Sequence, residues 1–159
     1  MNPNTIMHPN SKIHFYQEII KKAHDSFREF LVHLPEDILE WQIHESLNSV
    51  RWIIEHVIHD QLWIANVIMN NYEEGYHFEE SIDQYTLDEL IEKYDDVFIA
   101  IEEKFADLKE EHLNEARMYK EFSLPVEDWL YEYIHHLNHH SGEIGLILTA
   151  WKRKKRSLQ

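Results

Sequence analysis

The chain contains no cysteine. That excludes disulfides, thiolate metal ligands and a cysteine nucleophile, so any metal must sit on His, Asp or Glu. Glycine and proline are scarce too, with three and four in 159 residues. So few chain breakers suit long helices better than many short strands. Positive charge is in the minority: 15 Lys and Arg stand against 30 Asp and Glu, a formal net charge of −15. An acidic chain repels phosphate backbones, so nucleic acid is not an expected partner. No uninterrupted apolar run approaches the roughly 18–20 residues of a membrane span, so no membrane partner is expected. The opening residues, Met1 to Asn10, lack the basic-then-apolar order of a signal peptide. The expected location is the cytoplasm.

What is present is apolar and aromatic, at 43% and 13% of residues. That is ample for one packed core, and one domain over residues 1–159 is expected, ending in a basic tail over 152–159. The tail run Lys152-Arg153-Lys154-Lys155-Arg156 reads first as a complement to a helix C-terminal dipole. A patch for a membrane or nucleic acid is the alternative reading.

Helical periodicity and caps predict four helices. The first starts after Ser11, carries Ile13, Tyr16, Ile19, Ile20, Ala23, Phe27, Phe30 and Leu31 on one stripe, and stops at Leu34-Pro35. The second is capped by Ser46 or Ser49 and reaches about Asn70. It is apolar around much of its circumference, which predicts deep packing. A polar loop over 71–85 then reads as a crossover rather than a hairpin. Thr86 and Glu89 form a capping-box pattern at the start of the third helix, which is expected to end near Leu113. A short segment with Met118, Tyr119 and Phe122 leads to Ser123, the expected cap of a fourth helix with Pro125 in its first turn, running to about Lys155. The fold class is all-α: a four-helix bundle with a long crossover between helices 2 and 3.

The fourth helix carries the densest motif, Tyr133-Ile134-His135-His136-Leu137-Asn138-His139-His140-Ser141-Gly142-Glu143. Two histidine pairs there have i, i+4 spacing, and spacing alone does not separate them. Helical phase does. With about 100° per residue, His136 and His140 fall with Tyr133, Ile144, Ile147 and Trp151 within about 60° of Trp129, whereas His135 and His139 lie roughly 80–120° away. His136 and His140 are therefore expected inside, and His135 and His139 outside. On the second helix the same test places His56 and Asp60 within the apolar arc, and His59 nearer its edge. An inward His is ordinarily a core residue satisfied by a hydrogen bond. An inward His-x-x-x-His with an inward His and Asp on another helix needs more explanation, because unpaired buried charge is costly. A first-row metal on three histidines, with open positions for water or substrate, supplies it.

The segments around His136/His140 and Asn48-Ser49-Val50-Arg51-Trp52-Ile53-Ile54-Glu55-His56 resemble the two motifs of the DinB/YfiT-like superfamily. The resemblance implies a four-helix bundle, often dimeric, with metal ligands at His56, His136 and His140. The metal it implies is divalent, zinc or nickel first. It further implies a small-molecule substrate and, for some members, transfer of a thiol cofactor such as bacillithiol; others are described as metal-dependent hydrolases. Thiol transfer to an electrophile is the first functional expectation, metal-dependent hydrolysis the second, and a non-catalytic, stress-associated metal-binding bundle the third. Asp60 and Glu143 are the candidate catalytic bases or supports for a ligand ring, although Glu143 reads first as an ordinary surface residue. Many members carry Arg-Gly-Gln where this chain has Ser141-Gly142-Glu143, which removes an anion contact that Arg would make.

Overall fold

The computed structural model describes residues 11–71, 78 and 81–158. Four helices dominate: α1 (Lys12–Leu31), α2 (Val50–Ile68), α3 (Leu87–Phe105) and α4 (Val126–Ser157). Their N-termini follow the expected chemistry at three of the four. The Ser11, Ser49 and Thr86 side chains each accept from the backbone N–H three residues on, and Thr86 with Glu89 closes a capping box. Ser49, not Ser46, is thus the cap of α2. The C-terminus of α2 closes on Asn70, whose φ of 55° is left-handed. Asn70 N–H donates to Val67 C=O and Asn71 N–H to Asn66 C=O, which satisfies the last carbonyls without glycine.

The third helix is shorter than expected. It ends at Phe105, not near Leu113, and a 3-10 turn, Glu110–Asn114, follows. The physical reason is phase: Leu113 falls five residues after Leu108, off the stripe, and the intervening turn still buries both leucines. The turn also aims Glu110 at the start of α1, where its carboxylate accepts from Lys12 and Ile13 N–H, both at 3.3 Å.

A second correction concerns residues 116–125. They form an antiparallel hairpin, β1 (Ala116–Tyr119) with β2 (Phe122–Pro125). Ser123 therefore pairs within β2 opposite Met118 and does not cap α4; Pro125 precedes that helix. Glu127 and Asp128 in its first turn complement the dipole instead. The hairpin is tied to two helices: Arg117 Nε donates to Ile68 C=O at 3.0 Å, and Trp129 Nε1 donates to Arg117 C=O at 3.2 Å.

α2 packs mainly on α3 and α4, and so does α1. Consecutive helices α1 and α2 therefore face each other across a diagonal, as do α3 and α4. Phe27, Leu31, Ile54, Ile58, Leu90, Tyr94, Leu130 and Tyr133 fill the middle. This arrangement sets α2 beside α4 along their length, which is what brings His56 to the histidines of α4. Most of the expected crossover over 71–85 lies outside the described residues.

Candidate metal centre

His56, His136 and His140 meet between α2 and α4, with one ring nitrogen from each within 4.8 Å of the others. His136 Nε2 lies 3.3 Å from His56 Nε2 and 3.2 Å from His140 Nε2. Phase separated the pairs correctly: His135 and His139 side chains are 59% and 55% exposed, against 18% and 8% for His136 and His140.

Both expected carboxylates are present, on opposite sides of the rings. Asp60 Oδ2 stands 3.5 Å from His56 Nε2 and 3.6 Å from His136 Nε2, facing the converging nitrogens. Its other oxygen, Oδ1, is 2.8 Å from His59 Nδ1. Glu143 sits behind His140, and its Oε2 accepts from Nδ1–H at 2.6 Å. That bond fixes the tautomer, leaving the His140 Nε2 lone pair directed at the other two rings.

Burial pushes the His136 pKa down to about 4, helped by repulsion from His140. Burial also lowers His140, against the opposing pull of Glu143. Both rings are thus neutral at physiological pH, the state in which an imidazole donates a lone pair to a metal.

Two side chains escaped the sequence reading. Gln61, buried on α2, has its amide nitrogen 3.3 Å from His136 Nδ1, and its Oε1 has no hydrogen-bond partner among the described residues. Turning that amide over lets Oε1 accept from His136 Nδ1–H, satisfying both groups and freeing the His136 Nε2 lone pair. A polar amide within a largely apolar helix was the available signal, one that Asn66 shares. Trp52, one turn before His56, stacks on its ring at 5.0 Å between centroids; its i, i+4 spacing to His56 was legible.

The donor set fits a first-row ion. Metal–imidazole bonds of about 2.0–2.1 Å in tetrahedral geometry separate ligand nitrogens by roughly 3.3–3.4 Å, against 3.2 and 3.3 Å here. The neutral rings of His136 and His140 turn their Nε2 lone pairs toward one another, an arrangement that a shared cation relieves.

Three solved structures are similar. A DinB-like protein from Bacillus cereus is 16% identical, with 84% of this chain and 89% of that one covered at a TM-score of 0.68. A DinB-like protein from Bacillus subtilis is 18% identical, with 85% and 92% covered at 0.67. A conserved protein from Enterococcus faecalis is 15% identical, with 88% and 96% covered at 0.65. At these identities the likeness speaks to the fold. No curated protein matches the sequence. The model of the DinB superfamily matches residues 19–144, most of the bundle and all three clustered histidines, and the chain belongs to that superfamily.

Proposed function

We propose that this protein is a metal-dependent enzyme in which His56, His136 and His140 hold one divalent transition metal and activate a small nucleophile against an electrophilic substrate. The observation that carries the reading is the convergence of one ring nitrogen from each of His56, His136 and His140, with the His136 nitrogen 3.2–3.3 Å from the other two. Zinc and nickel come first, because neutral imidazole suits both. When bound, the metal supplies Lewis acidity, lowering the pKa of a thiol or water at its open position. The protein's own groups divide the remaining work. Asp60 Oδ2 faces the space where the nucleophile sits, so it accepts the proton that nucleophile loses. His59 holds the other Asp60 oxygen and keeps the carboxylate turned inward. Glu143 lies on the Nδ1 side of His140, away from that space, and acts as a positioning residue.

A low-molecular-weight thiol of the bacillithiol type is the first nucleophile, in line with the S-transferases that this superfamily includes. Hydrolysis is the second reading, and Asp60 favours it, since a carboxylate beside the open position suits deprotonation of water. A bundle that binds metal without catalysis is the third. The test loads the protein with zinc or nickel, measures metal per chain by elemental analysis, and supplies a chlorodinitrobenzene or an ester with and without bacillithiol. Conjugate formed only with the thiol supports transfer, and metal-dependent hydrolysate supports the second reading. Metal bound without either product leaves the third, and no metal uptake overturns all three.

A further inference from the structure

The three clustered rings are not held alike. Glu143 stands behind His140, with Oε2 2.6 Å from Nδ1. The Gln61 amide stands behind His136, 3.3 Å from Nδ1. His56 makes its polar contacts at Nε2, toward His136 and Asp60, and among the described residues no carboxylate or amide stands behind its Nδ1. Ligand histidines are ordinarily oriented through that second nitrogen. His56 is also the most open of the three rings, its side chain 29% exposed against 18% and 8%. It therefore has the most room to turn out of line.

What touches its ring instead is Trp52, one turn earlier on α2. The indole lies nearly parallel to the imidazole, with 19° between planes and 5.0 Å between centroids. Its base is fixed, because Trp52 N–H donates to Ser49 Oγ at 3.2 Å in the capped first turn of the helix. A ring pair at i, i+4 on a free helix is a weak contact. A ligand ring changes its weight. An imidazole that donates its lone pair to a cation becomes electron-poor, and indole is the aromatic face that attracts positive charge most. The stack is then stronger for a coordinated His56 than for a free one, and only that difference adds to affinity.

Resting on the reading of His56, His136 and His140 as metal ligands, we infer that Trp52 is the positioning residue of His56. Its indole fixes the tilt of the imidazole, and its π density favours the coordinated ring over the free one. Ser49, Trp52 and His56 thus form one line from helix cap to ligand.

The test measures zinc affinity of the full chain by competition with a chromophoric chelator. Trp52→Phe keeps a ring and loses about twofold or less. Trp52→Leu keeps apolar cover without π density and binds zinc about three- to tenfold more weakly. Mono-, di- and tetrafluorotryptophan placed at position 52 alone keep the indole frame and withdraw its density, and affinity falls stepwise along that series. Urea unfolding of the metal-free variants keeps its midpoint, since Trp52 is 43% exposed. Phe15→Leu, at a 60% exposed residue on α1, leaves zinc affinity unchanged. Zinc bound equally well by Trp52→Leu, or a flat fluorine series, overturns the inference and leaves the metal reading standing. Affinity losses that follow losses of metal-free stability make Trp52 a packing residue and overturn it too. Failure of zinc uptake in the unsubstituted protein overturns the metal reading and this one with it.

Discussion

His24 is buried and His136 largely sheltered by neighbouring helices, and loss of solvent lowers both pKa values to about 4. Their surroundings differ in kind. His24 lies between α1 and α3, stacked on Phe98 and Tyr94 with ring centroids at 3.7 and 4.3 Å. Among the described residues neither of its ring nitrogens has a hydrogen-bond partner, and carboxylate oxygens of Asp25 and Asp95 stand 3.6 and 3.8 Å away. His136 instead faces two further ring nitrogens, with Asp60 beside them and Gln61 behind. A depressed histidine pKa therefore records burial first and does not by itself mark a site. What separates a candidate site from a core histidine is the convergence of lone pairs and the groups that orient them.

The sharpest way to break that contrast is to delete one imidazole from each place. His136→Ala is expected to abolish metal uptake altogether, measured as metal per chain after zinc or nickel incubation. His24→Ala and His135→Ala are expected to retain one equivalent. Loss of metal in His24→Ala with retention in His136→Ala would reverse the assignment.

Acid stability should single out the other histidine. A folded-state pKa of about 4 for His24 lies below its unfolded value of 6.5, so the unfolded chain binds the proton first. The stability this represents is present above pH 6.5, declines as the pH falls, and is fully lost below about 4. Its size is roughly 3 kcal/mol. His24→Phe keeps the ring sandwich and removes the titration. Denaturant unfolding of the metal-free protein at pH 7 and pH 4.5 should show a smaller decline for this variant than for the unsubstituted chain, the His136 contribution remaining. Equal declines would place the acid sensitivity elsewhere.

A third comparison tests orientation rather than presence. Glu143→Gln should weaken metal affinity by about ten- to a hundredfold, the usual cost of losing the carboxylate behind a ligand histidine. Competition with a chromophoric chelator reads this directly. An unchanged affinity would return Glu143 to the ordinary surface. The smallest effect belongs to the carboxylate near His24. Asp95 is engaged by Arg28 Nε at 2.8 Å in a solvent-accessible pair. Asp95→Asn should move the melting temperature by no more than a degree or two and leave metal binding untouched.

Much of this was legible because the relevant signals are local. Ser11, Thr86 and Glu89 mark helix starts by side chains that reach three residues, and the stripes of α1 and α3 repeat within a turn. The phase of α4 likewise sorted four neighbouring histidines. The hairpin was hidden because each strand has four residues and its loop, Lys120-Glu121, lacks the Asn-Gly chemistry that marks such turns; Lys120 takes a φ of 52° without glycine. His24 could have been found, since it follows Ile20 by four and precedes Phe27 by three on the buried stripe. The role of Gln61 depends on how α2 and α4 meet, which no single helix encodes.

The hairpin gives the candidate centre a mechanical character. Through Arg117 it joins the last turn of α2, at Ile68, to the first turn of α4, at Trp129. Seen from that clamp the two helices are arms: His136 stands seven residues along one, and His56 twelve along the other. At 1.5 Å per residue these arms are about 10 and 18 Å long, so one degree of splay at the clamp moves a ring by about 0.2–0.3 Å. Metal–ligand distances tolerate about 0.2 Å. The fit of the three rings is thus sensitive to a guanidinium and an indole that stand about 10–18 Å along the helices from them.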